Sequence, residues 1–171
     1  MNFEHIIAIN DLNNPLLPAL NRQQLWAGLM FRVNNPVPFL PGLEACRILE
    51  RRAEVIIRSL DFGTVQMRDR VTLRTEEWVR FDIEPGKSHP GGSLTIRIEE
   101  PQRGQFFLRF KYESPFAETA SAEDRAYSEY LKSAYQQSDI DCVDIIRTLA
   151  VEGQPQQPTF DPLTRICHAP N

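Results

Sequence analysis

The chain has 171 residues, 42% hydrophobic and 25% charged, with a formal net charge of -4. That length predicts one domain with room for a substantial core, and the composition is that of an ordinary globular protein. The negative balance, with acids and bases mixed along the strands, argues against a nucleic-acid surface, which needs a basic patch, and against anionic membranes. Three cysteines, Cys46, Cys142 and Cys167, are few, odd in number and far apart. They predict a reducing compartment rather than a disulfide framework. No apolar run reaches the length of a membrane span, and the first residues, MNFEHIIAIND, carry acids and no basic leader. The expectation is a cytoplasmic protein with no membrane insertion.

Residues 3–10 are rich in Ile and predict a strand, broken by Asp11-Leu12-Asn13-Asn14-Pro15. Asn21 can cap a helix, with Gln24 three residues on to bond back to the cap, and Leu20 and Leu25 can form a hydrophobic staple. Leu25, Leu29 and Val33 make one apolar face, flanked by Trp26 and Met30. Asn34-Asn35-Pro36 stops the helix, because the residue before a proline avoids the α region. Pro36, Pro38 and Pro41 predict a bent connector.

The period then changes to two. Strands are predicted at 43–51, 54–62, 65–75, 78–84, 93–100 and 105–114. In the third of these, Val65, Met67, Val71 and Leu73 face one way, and Gln66, Arg68, Arg70 and Arg74 the other. Strands that are apolar on one face and wet on the other predict an antiparallel sheet with one covered face, joined by short hairpin turns. The cover is a helix over 122–152, begun by Ser121 with Asp124 and ended by Gly153. About thirty residues at 1.5 Å each cross a whole sheet. Its stripe is Tyr127, Leu131, Tyr135, Cys142, Ile145, Ile146 and Leu149. The stripe is weakest at Gln136-Gln137-Ser138-Asp139, so the helix is expected to be anchored at its ends, with a cavity under its polar middle. The fold class is α+β, with one domain over 1–153. The tail over 154–171 is rich in Pro and Gln and is expected to dock on the body or on a neighbouring copy.

This order of elements resembles the helix-grip fold of the START-like, or SRPBCC, superfamily, which holds birch-pollen-allergen-like proteins, lipid-transfer domains and polyketide cyclases. Within it the chain resembles the mostly bacterial and fungal AtaL-like family. The residues carrying the resemblance are Glu4-His5 through Asn10-Asp11, Arg22 to Leu29, Asn35-Pro36 with Phe39-Leu40-Pro41, and Leu60-Asp61-Phe62-Gly63 followed by Asp69-Arg70-Val71. It covers residues 3 to about 152. It implies a curved sheet of about seven strands gripping the last helix, with a ligand cavity between them. It implies no particular reaction.

Asp69 is the most informative single residue. By alternation it points inward with Met67 and Val71, where a carboxylate must find a partner or keep its proton. It is either a general base or polar anchor for a ligand, or a structural Asp paired with an arginine, or it is turned outward by a bulge. If Phe3, Ile7 and Ile9 face inward, so does His5; the alternative is a satisfied or surface histidine. His89 lies in a glycine-containing hairpin loop with no strand-to-helix context, and His168 beside Cys167 lacks metal-ligand spacing. No cofactor or metal is expected. Phe81, Phe106, Phe110, Tyr112, Tyr127 and Tyr135 make an apolar inner face; the resemblance implies that, with Met67 and Asp69, they line the cavity and bind the ligand.

Three functions follow. The first is a binder of an apolar or aromatic small molecule, lipid- or polyketide-like. The second is a cyclase, aromatase or dehydratase using Asp69 with His5 or a cavity tyrosine. The third is an interaction protein whose tail clasps a homodimer.

Overall fold

A computed structural model describes residues 1–115 and 121–153. The elements in chain order are β1 (Asn2–Ala8), α1 (Arg22–Asn34), β2 (Ala45–Arg51), β3 (Val55–Asp61), β4 (Gln66–Arg74), β5 (Trp78–Ile83), β6 (Gly92–Gln102), β7 (Gln105–Glu113) and α2 (Ala122–Glu152). The seven strands form one antiparallel sheet in the order β1-β7-β6-β5-β4-β3-β2. Strands β2 to β7 are a meander of neighbours. Only β1 is placed by a long connection, beside β7, with His5 opposite Phe110.

The local signals act as their chemistry requires. Asn21 caps α1: its side chain accepts the Gln24 amide, and the Gln24 side chain accepts the Asn21 amide. These bonds satisfy two donors that a helix start otherwise leaves orphaned. Leu25, Leu29 and Val33 are buried, as is Arg32 on the same face. The proline connector holds one helical turn, in which the Leu40 amide bonds back to the Pro36 carbonyl. The Ser121 side chain accepts the Asp124 amide at the start of α2, and Gly153 ends it with a positive φ of 71°. β6 runs past its expected end to Gln102 by means of a bulge at Glu99/Gln102. Pro101 lies within that bulge, where a residue without an amide hydrogen leaves no ladder bond unmade.

Alternation decides the two faces of the sheet. Val71, Leu73, Val79, Phe81, Ile96, Leu108 and Phe110 are buried in one core with α1 and the carboxyl half of α2. The opposite face carries ion pairs, including Arg80 with Asp82 and Glu113, and Arg109 with Glu4 and Glu99. The two helices meet closely: a Cβ built on Gly28 would lie 2.6 Å from the side chain of Ile146. Asn10 ties the loop after β1 to the body. Its amide group donates to the carbonyls of Leu20 and Gly104, and its side-chain oxygen accepts the Leu20 amide.

The expected anchoring of α2 is corrected in two respects. Its buried residues are Ser128, Asp139, Cys142, Val143 and Ile146. Tyr127 is 51% exposed and lies off the buried face that seats the helix. Asp139, assigned to a weak polar middle, is fully buried. The reason is periodicity: 128, 135, 139, 142 and 146 share one face at spacings of three, four or seven, which rotates Tyr127 off it and Asp139 onto it. No helix among the described residues is long and apolar enough to cross a membrane. The tail, Cys167 and His168 lie outside the described residues.

Candidate functional site

A cavity of about 250 Å³ opens between the sheet and the helices. Leu60, Met67, Phe81, Ile83 and Leu94 form its sheet wall. Pro36 and Leu40, from the connector after α1, close one side, and Gly91 to Ser93, from the loop before β6, border it. Tyr135 and Ser138 come down from the middle of α2, and Tyr112 rises from the end of β7. Two arginines, Arg32 of α1 and Arg58 of β3, complete the wall with Asp69.

Asp69 is buried, as alternation requires, and it has a partner. Arg58 stands opposite it in the register of β3 and β4. The Arg58 Nε donates to one carboxylate oxygen at 2.9 Å and Nη2 to the other at 2.5 Å. Nη1 donates to the Val33 carbonyl at 2.8 Å. That carbonyl belongs to the last turn of α1, which has no partner within the helix and favours a cation. The Arg58 guanidinium also lies 5.1 Å from the centre of the Phe81 ring. The arrangement is that of the structural alternative, an Asp paired with an arginine. Both of its oxygens accept hydrogen bonds from the Arg58 guanidinium.

A second polar group lies at the α2 side. The Tyr112 hydroxyl donates to Asp139 Oδ1 at 2.5 Å, and His5 Nδ1 lies 3.4 Å from Oδ2. Burial pushes the Asp139 carboxyl up to about 6, against the pull of the Tyr112 bond, the Arg32 charge and His5. Burial, then the neighbouring carboxylate, raises the Tyr112 hydroxyl well above its ordinary range. Tyr112 stacks on Tyr135 with ring centres 4.0 Å apart and planes 6° from parallel. Phe3 lies tilted against both rings, with ring centres 6.1 Å from Tyr112 and 6.3 Å from Tyr135. Because the Tyr112 O–H donates its hydrogen bond to Asp139, the hydroxyl oxygen is left to accept one.

Of the residues expected to meet a ligand, Met67, Asp69, Phe81, Tyr112 and Tyr135 border the cavity. Phe106, Phe110 and Tyr127 do not. Phe110 is packed solid in the core, and Phe106 lies buried at the far end of the sheet, with Arg22 over its ring. Tyr127 points off the buried face of α2. His89 stays in its loop, where its carbonyl accepts the Gly86 amide. Among the described residues, no group of three His, Cys, Asp or Glu side chains is placed to hold a metal.

Sequence reasoning missed Arg58 and Arg32 and misread Asp139. Each had a signal. Arg58 alternates with Ile56 and Leu60, so it faces inward. Arg32 lies seven residues after Leu25 and three after Leu29, on the buried face of α1. Asp139 lies four residues after Tyr135 and three before Cys142.

No curated protein matches the chain by sequence. Among solved structures, the fold is similar to the di-domain aromatase/cyclase StfQ from the steffimycin biosynthetic pathway, at 13% identity and a TM-score of 0.67, over 88% of this chain and 50% of that one. The chain thus spans about half the length of that relative. It is similar to the ZhuI aromatase/cyclase from Streptomyces sp. R1128, at 15% identity and a TM-score of 0.62, over 89% of this chain and 94% of that one. It is also similar to Ara h 8.0201, at 9% identity and a TM-score of 0.56, over 90% of this chain and 99% of that one. At these identities the likeness is one of fold. The model of the acetylaranotin biosynthesis cluster protein L family, AtaL, matches residues 7–153. The seven-stranded antiparallel sheet closed over a long last helix is the helix-grip architecture, and the chain belongs to the AtaL family.

Proposed function

We propose that the protein binds an apolar or aromatic small molecule of lipid- or polyketide-like character in the cavity between the sheet and α2. The observation that carries this reading is the cavity itself: about 250 Å³, walled by Leu60, Met67, Phe81, Ile83 and Leu94, with a few polar groups converging from the helix side. Small-molecule sites are generally built so, with apolar walls for affinity and few polar groups for orientation. The similarity in fold to two aromatase/cyclases is consistent with a polyketide-like occupant.

Thermal-shift measurement against lipids, polyketides and flavonoids tests it. A ligand at a hundred times its Kd stabilises by about 2.7 kcal/mol, which for a domain of this size raises Tm by roughly 5–10 °C. Met67→Trp, which fills the cavity, is expected to abolish the shift. A shift that survives in Met67→Trp would mean that binding occurs elsewhere.

One observation favours a second reading, a cyclase or dehydratase. The Asp139 carboxyl, pushed up to about 6 beside Tyr112, can hold and release a proton near neutral pH. It would take the role first assigned to Asp69, acting on the ligand through the Tyr112 hydroxyl. Incubation with a β-hydroxy ketone, followed by its dehydration across pH 5–8, tests this. Turnover unaffected by Asp139→Asn would remove the reading.

A further inference from the structure

The two arginines at the cavity differ in one respect. Arg58 is matched: Asp69 neutralises its charge and takes two of its donors, and α1 carbonyls take a third nitrogen. Arg32 is not. It is only 5% exposed, yet its Nη1 is buried without a hydrogen-bond partner. Its guanidinium lies against the faces of Phe39 and Phe81, at 5.6 and 5.5 Å from the ring centres. Ring faces attract a cation but give its N–H groups no oxygen.

The groups that face Arg32 from the packed elements do not restore the balance. From β3 and β4 come Arg58 and Asp69, already paired with each other. From α2 comes Cys142, a weak acceptor, and Asp139, which is committed to Tyr112 and His5. Burying an arginine with an unmade donor is costly, and such groups are rare in a native core. Arg32 also borders the cavity, so a molecule bound there can meet its guanidinium.

We propose that Arg32 receives an anionic oxygen of the ligand, so that the cavity selects apolar or aromatic molecules bearing a carboxylate over the matching hydrocarbon. This rests on the ligand-binding reading above and narrows it. The aromatic body lies against Phe81, Leu94 and Met67, and the carboxylate meets the guanidinium of Arg32. Tyr112 offers an acceptor nearby for any hydroxyl the ligand carries.

Titration calorimetry with 2-naphthoate and with naphthalene tests the inference, on the wild type, Arg32→Met and Arg32→Lys. The wild type is expected to bind naphthoate at least roughly tenfold more tightly than naphthalene, as a charge-assisted hydrogen bond requires. Arg32→Met is expected to lose that preference while holding naphthalene within about threefold. Arg32→Lys keeps the charge without the planar fork, and is expected to fall between them, which serves if the Met variant does not fold. Equal affinity of the wild type for both compounds overturns the role of Arg32 and leaves the binding reading standing. A naphthoate preference retained in both variants overturns it as well. Failure of the wild type to bind either compound overturns the ligand-binding reading, and this inference with it.

Discussion

Arg58 and Asp69 face each other across β3 and β4, and the guanidinium grips both oxygens of the carboxylate at 2.9 and 2.5 Å, with both side chains buried. The pair also joins the sheet to the carboxyl end of α1, through the Val33 carbonyl. It is a structural joint at the edge of the cavity.

A buried ion pair costs most when half of it is removed. Asp69→Ala leaves the Arg58 charge without a counterion, and is expected to destabilise the fold by about 3–5 kcal/mol. Replacing both, Arg58→Met with Asp69→Leu, removes the desolvation cost along with the attraction. It is expected to recover most of that loss. Urea denaturation of the wild type, the single and the double variant measures the difference. A double variant as unstable as the single one would show that the bonds from Arg58 to α1, rather than the pairing, hold this region.

Asp139 makes stability depend on pH in the direction opposite to an ordinary salt-bridged carboxylate. Its folded-state pKa, about 6, lies above the ordinary 3.8 because the site is buried. The folded state therefore holds a proton that the unfolded state has lost. Its contribution is fully present below pH 4, declines as pH rises to about 6, and is absent above, a change of about 2–3 kcal/mol. Glu100 and Glu113, whose pKa values are lowered, act in the opposite sense, so the contribution is isolated by difference. Thermal melts from pH 3.5 to 8 on wild type and Asp139→Asn are expected to converge at low pH. As pH rises, the variant gains relative to the wild type. A constant difference across the range would mean that Asp139 titrates normally.

Gly28 marks the closest approach of α1 to α2. A Cβ there would meet Cγ2 of Ile146 at 2.6 Å and Cγ1 at 2.7 Å. Ile146 is β-branched and fully buried, so it cannot swing aside. Alanine favours a helix by about 1 kcal/mol over glycine, but overpacking a tight core costs about 1–3 kcal/mol. Gly28→Ala is therefore expected to lower Tm by a few degrees. Ile146→Val removes only Cδ1 and keeps both crowding carbons, so Gly28→Ala with Ile146→Val is expected to recover none of it. A gain in Tm from Gly28→Ala alone would mean that the helices separate freely.

Most of the fold was legible because it rests on local rules. The cap at Asn21, the stop at Pro36, the change of period from about 3.6 to two, and the helix from Ser121 to Gly153 are each written in a few adjacent residues. The site was less legible. Asp69 was found because a carboxylate stood out among apolar neighbours on its own strand. Arg58 broke its strand in the same way, but long cations on a strand are ordinarily read as solvent-facing.

By itself, the sequence determined which residues form helices and strands, which face of most strands is apolar, and that Asp69 falls on the inward face if its strand alternates without a bulge. Only the tertiary structure decided what answers those inward groups. Arg58 meets Asp69 across eleven residues of chain, Tyr112 meets Asp139 across twenty-seven, and His5 meets the same carboxylate across one hundred and thirty-four. Periodicity states which way a side chain points. Pairing depends on the register of the strands and the seat of α2 on the sheet, which are set by the packing of the whole core.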